Sequence, residues 1–318
     1  MNETKKLNND SNTATPYDDV HRTMLNDCPK LIIPVVNEMF HKQHSENEKI
    51  TVLNNEFFIN RQGGTQAERI TDTHFLIGSD RYHLECQSSV DGTIMYRMFE
   101  YDSQIAMQDG FLRKDKLIVK FPNTAVLYLR HNKNTPDYMT MEIQVPGASC
   151  SYAIPVMKVQ RYSIDEIFEK KLFFLIPFHI FVYESKFREY DTNEEKLKEL
   201  TLVYEEIIQK LNAYSEKHVI DEYTKLMIID MTKKVLEHLA NKYSNVKEGV
   251  GIIMGGKILD YPAKDILNRG RAEGERNHLV SIVQKKLANG QSVEKIAEDL
   301  LEEQGIIEEI VKELQRVE

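Results

Sequence analysis

Asp72, Glu85 and Gln87 are the residues of this chain whose types and spacing point to chemistry. They stand in the pattern D-x12-E-x-Q. Two carboxylates on neighbouring strands supply the oxygen ligands that a hard divalent cation such as Mg²⁺ or Mn²⁺ prefers, with positions left for water and phosphate oxygens. Such a cation lowers the pKa of bound water and neutralises charge developing on a phosphate. The backbone carbonyl of Cys86 is a third candidate oxygen ligand. Gln87 is expected to face the same site and to orient the attacking water or a phosphate oxygen. A glutamine is no base near neutral pH, so the base would be metal hydroxide, a second water or substrate phosphate.

These residues need elements to position them. Two runs of alternating character flank Gly78-Ser79, and Gly-X is the signature of a type II′ two-residue hairpin. Closing that loop between Ile77 and Asp80 sets Asp72 opposite Glu85 and His74 opposite His83. Side chains alternate along a strand. Asp72, His74, His83, Glu85 and Gln87 therefore share one face, the chemical one, while Thr73, Phe75, Ile77, Tyr82, Leu84 and Cys86 form the core face. Like charges opposite one another on antiparallel strands are destabilising, so the acid pair favours a metal or a nearby cation. The competing reading makes both acids solvated positions on an exposed sheet face. His74 and His83 are read as polar-face neighbours or phosphate contacts, with metal ligation as the alternative. Cys86 reads as a buried, inert thiol.

Beyond the hairpin, periodicity predicts helices over 18–26 and 29–43, with Pro34 kinking the second or delaying its start. A strand is expected over 51–59, a helix over 93–108, and strands over 124–130, 138–145 and 151–159. After Ser163 the pattern is almost wholly helical, with amphipathic stretches over 194–215 and 221–243. The apolar run LFFLIPFHIFVY (172–183) reads as a buried helix, too short to span a bilayer. Residues 250–257 (VGIIMGGK) lack the Walker pattern and read as a loop or interhelical turn. The fold class is α/β (α+β), a mixed central sheet flanked by helices and followed by a helical C-terminal extension. The expected division is a polar, disordered tail over 1–16, a core over 17–163, helices packing on it over 164–248, and a charged helical extension over 249–318.

Composition excludes several classes. The chain has 318 residues, 41% apolar and 29% charged, as expected of a globular protein. Cys28, Cys86 and Cys150 show no C-x-x-C spacing, which argues against a disulfide framework and a zinc ribbon. The polar start carries no leader pattern, so the expected location is the cytoplasm, with no membrane partner. Net charge is −9, but 291–318 hold nine acids against Lys295, Lys312 and Arg316, a net of −6. The rest is near neutral and includes the basic cluster Arg113-Lys114-Asp115-Lys116, so nucleic acid is not excluded. The acidic C-terminal helices read as a packing or homo-oligomerisation module.

The segments YDDVHRTMLNDCPKLIIPVVNEMF, ERITDTHFLIG, RYHLECQSSVDGTIMYRMFEYDSQIA and GRAEGER together resemble the PD-(D/E)XK nuclease-family transposases, the Rpn family of bacterial recombination-promoting nucleases. The resemblance runs over nearly the whole chain and is strongest from Tyr17 to Gln108. It implies a restriction-endonuclease-like core, Mg²⁺- or Mn²⁺-dependent cleavage of DNA, and a role in recombination or DNA mobility. Its core acid falls on Asp72, and its E-x-[KQ] element on Glu85 and Gln87. Glu38 matches a helix acid of many such folds less closely. Gln87 stands where lysine is usual. Arg97 and Tyr101, one helical turn apart, are candidates for DNA phosphate contacts or for packing. The competing readings are a catalytically weak nuclease-fold module that binds DNA or protein, a self-associating helical scaffold, and a zinc hydrolase using the two histidines.

Overall fold

Gly78 takes φ 58°, and Ser79 is absent from the residues of positive φ, which fits the type II′ turn. Strands β4 (Thr73–Ile77) and β5 (Asp80–Gln87) close on it with Ile77 opposite Asp80, His74 opposite His83 and Thr73 opposite Leu84. The register expected from the turn is the register observed. The computed structural model describes residues 16–53, 56–60, 66–70, 73–90, 92–255, 276, 279–284, 286–287, 291–300 and 304–315. Asp72 lies outside the described residues. The chain divides into two units, Met1–Ile258 and Leu259–Glu318.

The first unit begins with helices α1 (Pro16–Asp27) and α2 (Ile32–Phe40). A 3-10 turn over Pro29–Leu31 precedes α2, so Pro34 falls in the first turn of the helix and costs no interior hydrogen bond. Strands β1 (Ile50–Val52), β2 (Glu56–Asn60) and β3 (Gln66–Ile70) follow; β2 and β3 pair with each other as a separate ribbon. After β4 and β5 come helix α3 (Ile94–Gln108), the short hairpin β6 (Phe111–Arg113) and β7 (Lys116–Ile118), then β8 (Asn123–Tyr128), β9 (Tyr138–Val145) and β10 (Ala148–Lys158). The central sheet has six strands in the order β1-β4-β5-β8-β10-β9. β1, β4 and β5 form an antiparallel meander. β8 lies parallel to β5, reached through α3, and β10 lies parallel to β8. A parallel neighbour demands such a crossover.

The parallel centre bears on the expected division into a core face and a chemical face, and on the competing reading that the acids are solvated. Strands inside a crossover sheet are covered on both sides, and here both faces are buried. Ile94 and Met98 of α3 pack on Val126, Tyr128, Ile154 and Val156. His74, His83 and Glu85 are buried on this same face of the sheet, at 0%, 0% and 3% exposure. On the other face Phe75, Tyr82, Leu84, Cys86, Ala125 and Leu127 are buried, and Phe40 of α2 packs on Tyr82 with ring centroids 5.3 Å apart. The reading of a solvated acid face is thereby corrected for Glu85.

The rest of this unit is helical: α4 (Ile164–Glu169), α5 (Phe187–Thr192), α6 (Glu194–Glu216), α7 (Glu222–Leu239) and α8 (Ser244–Gly255). Ser163 and Glu166 form a reciprocal capping box that starts α4. The apolar run is buried as expected, but over Phe173–Val182 it is a 3-10 helix rather than an α-helix, with Pro177 inside. A segment apolar on every side needs cover on every side. Residues 250–255, expected to be a loop, continue α8 instead. Gly249 on that helix faces Leu197 of α6, where an added Cβ would lie 3.3 Å from Leu197 Cδ1. Within the segment itself, Gly251 stands in open space on the helix and an added Cβ at Gly255 would meet only the end of the Lys233 side chain, so neither glycine breaks the helix. In the second unit, Val293–Leu300 and Gln304–Gln315 are helices, and Val283, Ile296, Ala297, Ile307 and Ile310 form a shared core. Among the described residues, no helix is long and apolar enough to cross a membrane.

Candidate functional site

Strand alternation puts His83, Glu85 and Gln87 of β5 on the face covered by α3, and the structure links them through side chains. Gln87 Nε2 donates to Glu85 Oε2 at 3.3 Å, and Arg97 of α3 donates from a terminal nitrogen to Gln87 Oε1 at 2.9 Å. His83 Nε2 lies 3.3 Å from Glu85 Oε1, and His83 Nδ1 lies 2.7 Å from Asp102 Oδ1. Thr124 of β8 donates to the same Asp102 oxygen at 2.8 Å. The parallel register sets Thr124 beside His83, which is why this hydroxyl reaches the cluster.

Charge balance explains how such a group survives burial. Both ring nitrogens of His83 face carboxylates, so the ring donates twice and carries a proton. Burial pulls its pKa down, but the hydrogen bonds and charges of Asp102 and Glu85 outweigh burial and raise it to about 10. With Arg97, the cluster holds two cations and two anions. Isolated, each charge would cost several kcal/mol to bury. Asp102 Oδ2 is the exception, buried with no hydrogen-bond partner among the described residues. His21 of α1 shows the opposite outcome. It is fully buried against the Phe174 ring, centroids 5.1 Å apart, and neither ring nitrogen has a hydrogen-bond partner among the described residues. Burial dominates the opposing influence of Glu85 and lowers its pKa to about 4, so it is neutral.

The sequence-predicted residues are thus only partly brought together. Glu85, Gln87, His83 and Arg97 meet. His74 is buried opposite His83 on β4. Tyr101 is 2% exposed and meets the His83 ring in a T-shaped contact, centroids 5.9 Å apart, as its packing alternative expects. Arg97 likewise turns toward the sheet. Glu38 is not brought to Glu85: it pairs with Lys170 at 2.5 Å and accepts from Tyr162 at 3.3 Å. Cys86 is a buried thiol on the opposite face, as expected. Its carbonyl lies on the strand edge away from β8, because the next carbonyl, that of Gln87, accepts from Leu129 N at 2.9 Å and successive carbonyls alternate.

Among the described residues, no three His, Cys, Asp or Glu side chains are grouped as a metal site. What β5 offers is a carboxylate and a backbone carbonyl, hard oxygen donors that fit Mg²⁺ or Mn²⁺ in kind. They do not fit zinc through His83, whose nitrogens are both spent as donors to carboxylates. Sequence reasoning missed Asp102 and Thr124. Asp102 had a signal: it stands on the apolar stripe of α3 between Met98 and Ile105, where an acid is out of place unless paired. Comparisons of the chain with models of protein families, with curated proteins and with solved structures each returned no match.

Proposed function

We propose that this chain is a metal-dependent DNA endonuclease of PD-(D/E)XK type, with a restriction-endonuclease-like core formed by α1 through β10. The observation that carries the reading is the buried, charge-balanced cluster of Glu85, His83, Asp102, Gln87 and Arg97 across the β5–α3 crossover. Buried ion pairs seldom add net stability over apolar packing, and such clusters concentrate at functional sites. The antiparallel meander followed by a parallel crossover strand supports the fold assignment.

In this reading Asp72, Glu85 and the Cys86 carbonyl hold Mg²⁺ or Mn²⁺. Such a cation, when bound, would supply an acidified water and neutralisation of charge on the scissile phosphate. The chain's own residues do the rest. His83 and Gln87 hold the two oxygens of Glu85 in place, and Asp102 with Thr124 holds His83. Arg97 fixes the amide of Gln87 and brings a positive charge to the position where lysine is usual in the family. Gln87 is half-buried and Ser89 exposed, so β5 opens to solvent at its C-terminal end, the side from which a phosphate approaches.

Plasmid nicking with and without Mg²⁺ tests the proposal. The wild type should nick only with metal, and Asp72→Ala and Glu85→Ala should each abolish nicking with the circular dichroism spectrum unchanged. Undiminished cleavage by either clean variant would falsify it. Arg97→Ala should lower the rate by about 10²-fold, the scale expected for one preorganised cation at developing charge, and Gln87→Lys in that background should restore part of it. A second reading, a catalytically weak DNA-binding module on the same fold, is favoured by the 3% exposure of Glu85 and its two side-chain neighbours. It predicts DNA retention in a shift assay and no cleavage with any divalent metal.

A further inference from the structure

The hairpin β6–β7 is exposed on both faces. Ten of the eleven residues 111–121 are exposed, including Phe111, Leu112, Leu117, Val119 and Phe121, with Leu112 at 74%. A two-stranded hairpin is marginal in water without cover, and this one spends apolar residues on solvent. Its charge is equally distinctive. Arg113, Lys114, Lys116 and Lys120 stand against Asp115 alone, a net of +3 on a chain of net −9. Among the described residues, none of these four cations makes an ion pair.

The turn supplies an independent observation. Arg113 pairs with Lys116, leaving the two-residue loop Lys114-Asp115, just as Ile77 pairs with Asp80 around Gly78-Ser79. The first loop residue has φ 58° at Gly78 and φ 57° at Lys114. A left-handed conformation costs a side-chain-bearing residue roughly 1–2 kcal/mol that glycine is spared. A lysine held there, at the tip of an exposed arm, puts its charge at the outermost point of the ribbon.

We infer that β6–β7 is an arm that enters a groove of double-stranded DNA. Arg113, Lys114 and Lys116 meet phosphates, and Leu112 and Leu117, paired on one face, lie against the groove wall. The major groove admits a two-stranded ribbon, and both exposed faces of the ribbon then gain cover. A second copy of the chain fits less well, because two such tips would bring like charges together. The arm's root is tied to the candidate site: Arg81 of β5 forms an ion pair with Asp109 at the end of α3 and donates to the Ile105 carbonyl at 3.3 Å. Asp109 lies about 10 Å along α3 from Asp102 at the helical rise per residue. The choice of DNA rests on the nuclease reading; the need for a polyanionic partner rests on the arm itself.

The test is fluorescence anisotropy of a short labelled DNA duplex, titrated with the full chain carrying Glu85→Gln so that binding is read without cleavage. Replacing Arg113 and Lys116 with Ser and Lys114 with Gly together should weaken binding about 10- to 100-fold and flatten the log–log salt slope by nearly three units. Leu112→Ser with Leu117→Ser should weaken it about 10-fold with the salt slope kept. Lys114→Gly alone should weaken binding several-fold without lowering the thermal midpoint, which separates lost contact from lost fold. Equal binding by the triple variant, absence of binding by the parent, equal affinity for single-stranded DNA, or a loss that tracks dissociation of a dimer in light scattering would each overturn the inference. Plasmid nicking by the wild type is scored separately. Arm-dependent binding without nicking removes the nuclease reading and leaves the arm; nicking with arm-independent binding does the reverse.

Discussion

Two hairpins in this chain turn on the same backbone geometry and meet opposite fates. β4–β5 is closed by Gly78-Ser79 and buried on both faces, with α3 over one and α2 over the other. β6–β7 is closed by Lys114-Asp115 and exposed on both. The buried hairpin gathers charges that must be paired, and His83, Glu85, Asp102 and Arg97 pair them. The exposed hairpin carries cations that make no ion pair among the described residues. Local turn geometry thus sets register, and the cover supplied by distant elements decides whether a polar side chain becomes part of a network or stays available to a ligand.

The largest effect that sharpens this contrast comes from the pairing itself. Asp102→Ala removes the shorter of the two carboxylate contacts of the buried His83 cation and the nearer acceptor of the Thr124 hydroxyl, and should cost about 3–5 kcal/mol in urea unfolding. Leu112→Ser with Leu117→Ser in the exposed hairpin should cost less than about 0.5 kcal/mol. Similar losses in the two experiments would break the comparison.

Sealing the sheet from water also makes its surroundings sensitive to acid. His21 lies on α1, which packs on β5, and its pKa falls from 6.5 to about 4 through burial. Between those values the unfolded chain binds a proton that the folded chain refuses, so stability falls as the pH drops from about 6.5 toward about 4. His21 alone should account for about 3 kcal/mol of that loss. His21→Phe should flatten the dependence of unfolding free energy on pH in this window; an unchanged slope would show that another group carries it.

The smallest effect concerns the turns. Gly78→Lys should destabilise by about 1–2 kcal/mol, because it meets both the left-handed backbone and Glu48 Oε2, 3.1 Å from the added Cβ. Lys114→Gly should change stability by no more than about 1 kcal/mol, in the favourable direction, since relief of the backbone is partly offset by the freer unfolded chain. A destabilising Lys114→Gly would mean that the lysine side chain holds the folded hairpin together.

Much of this was legible from residues alone. Gly78-Ser79 between alternating runs was enough to pair His74 with His83, because a two-residue loop leaves one register and a period of two assigns the faces. The spacing of Ile94, Met98, Tyr101 and Ile105 was enough to place α3. Asp102 was legible in principle, as an acid on that apolar stripe, but its partner was not, since nothing local links residue 102 to residues 83 and 124. The hairpin β6–β7 was read only as a basic cluster, because three-residue strands carry almost no periodic signal.

Sequence by itself determined the turn, the register and the side of β5 on which Glu85 and Gln87 project, since these follow from backbone sterics and alternation within a few residues. Tertiary structure alone decided that this side is roofed by α3, that Asp102 and Arg97 reach down to it, and that Glu38 is engaged elsewhere with Lys170. The physical reason is range. Sterics act between neighbours in the chain, whereas burial and charge pairing depend on residues that only the crossover brings within hydrogen-bonding distance.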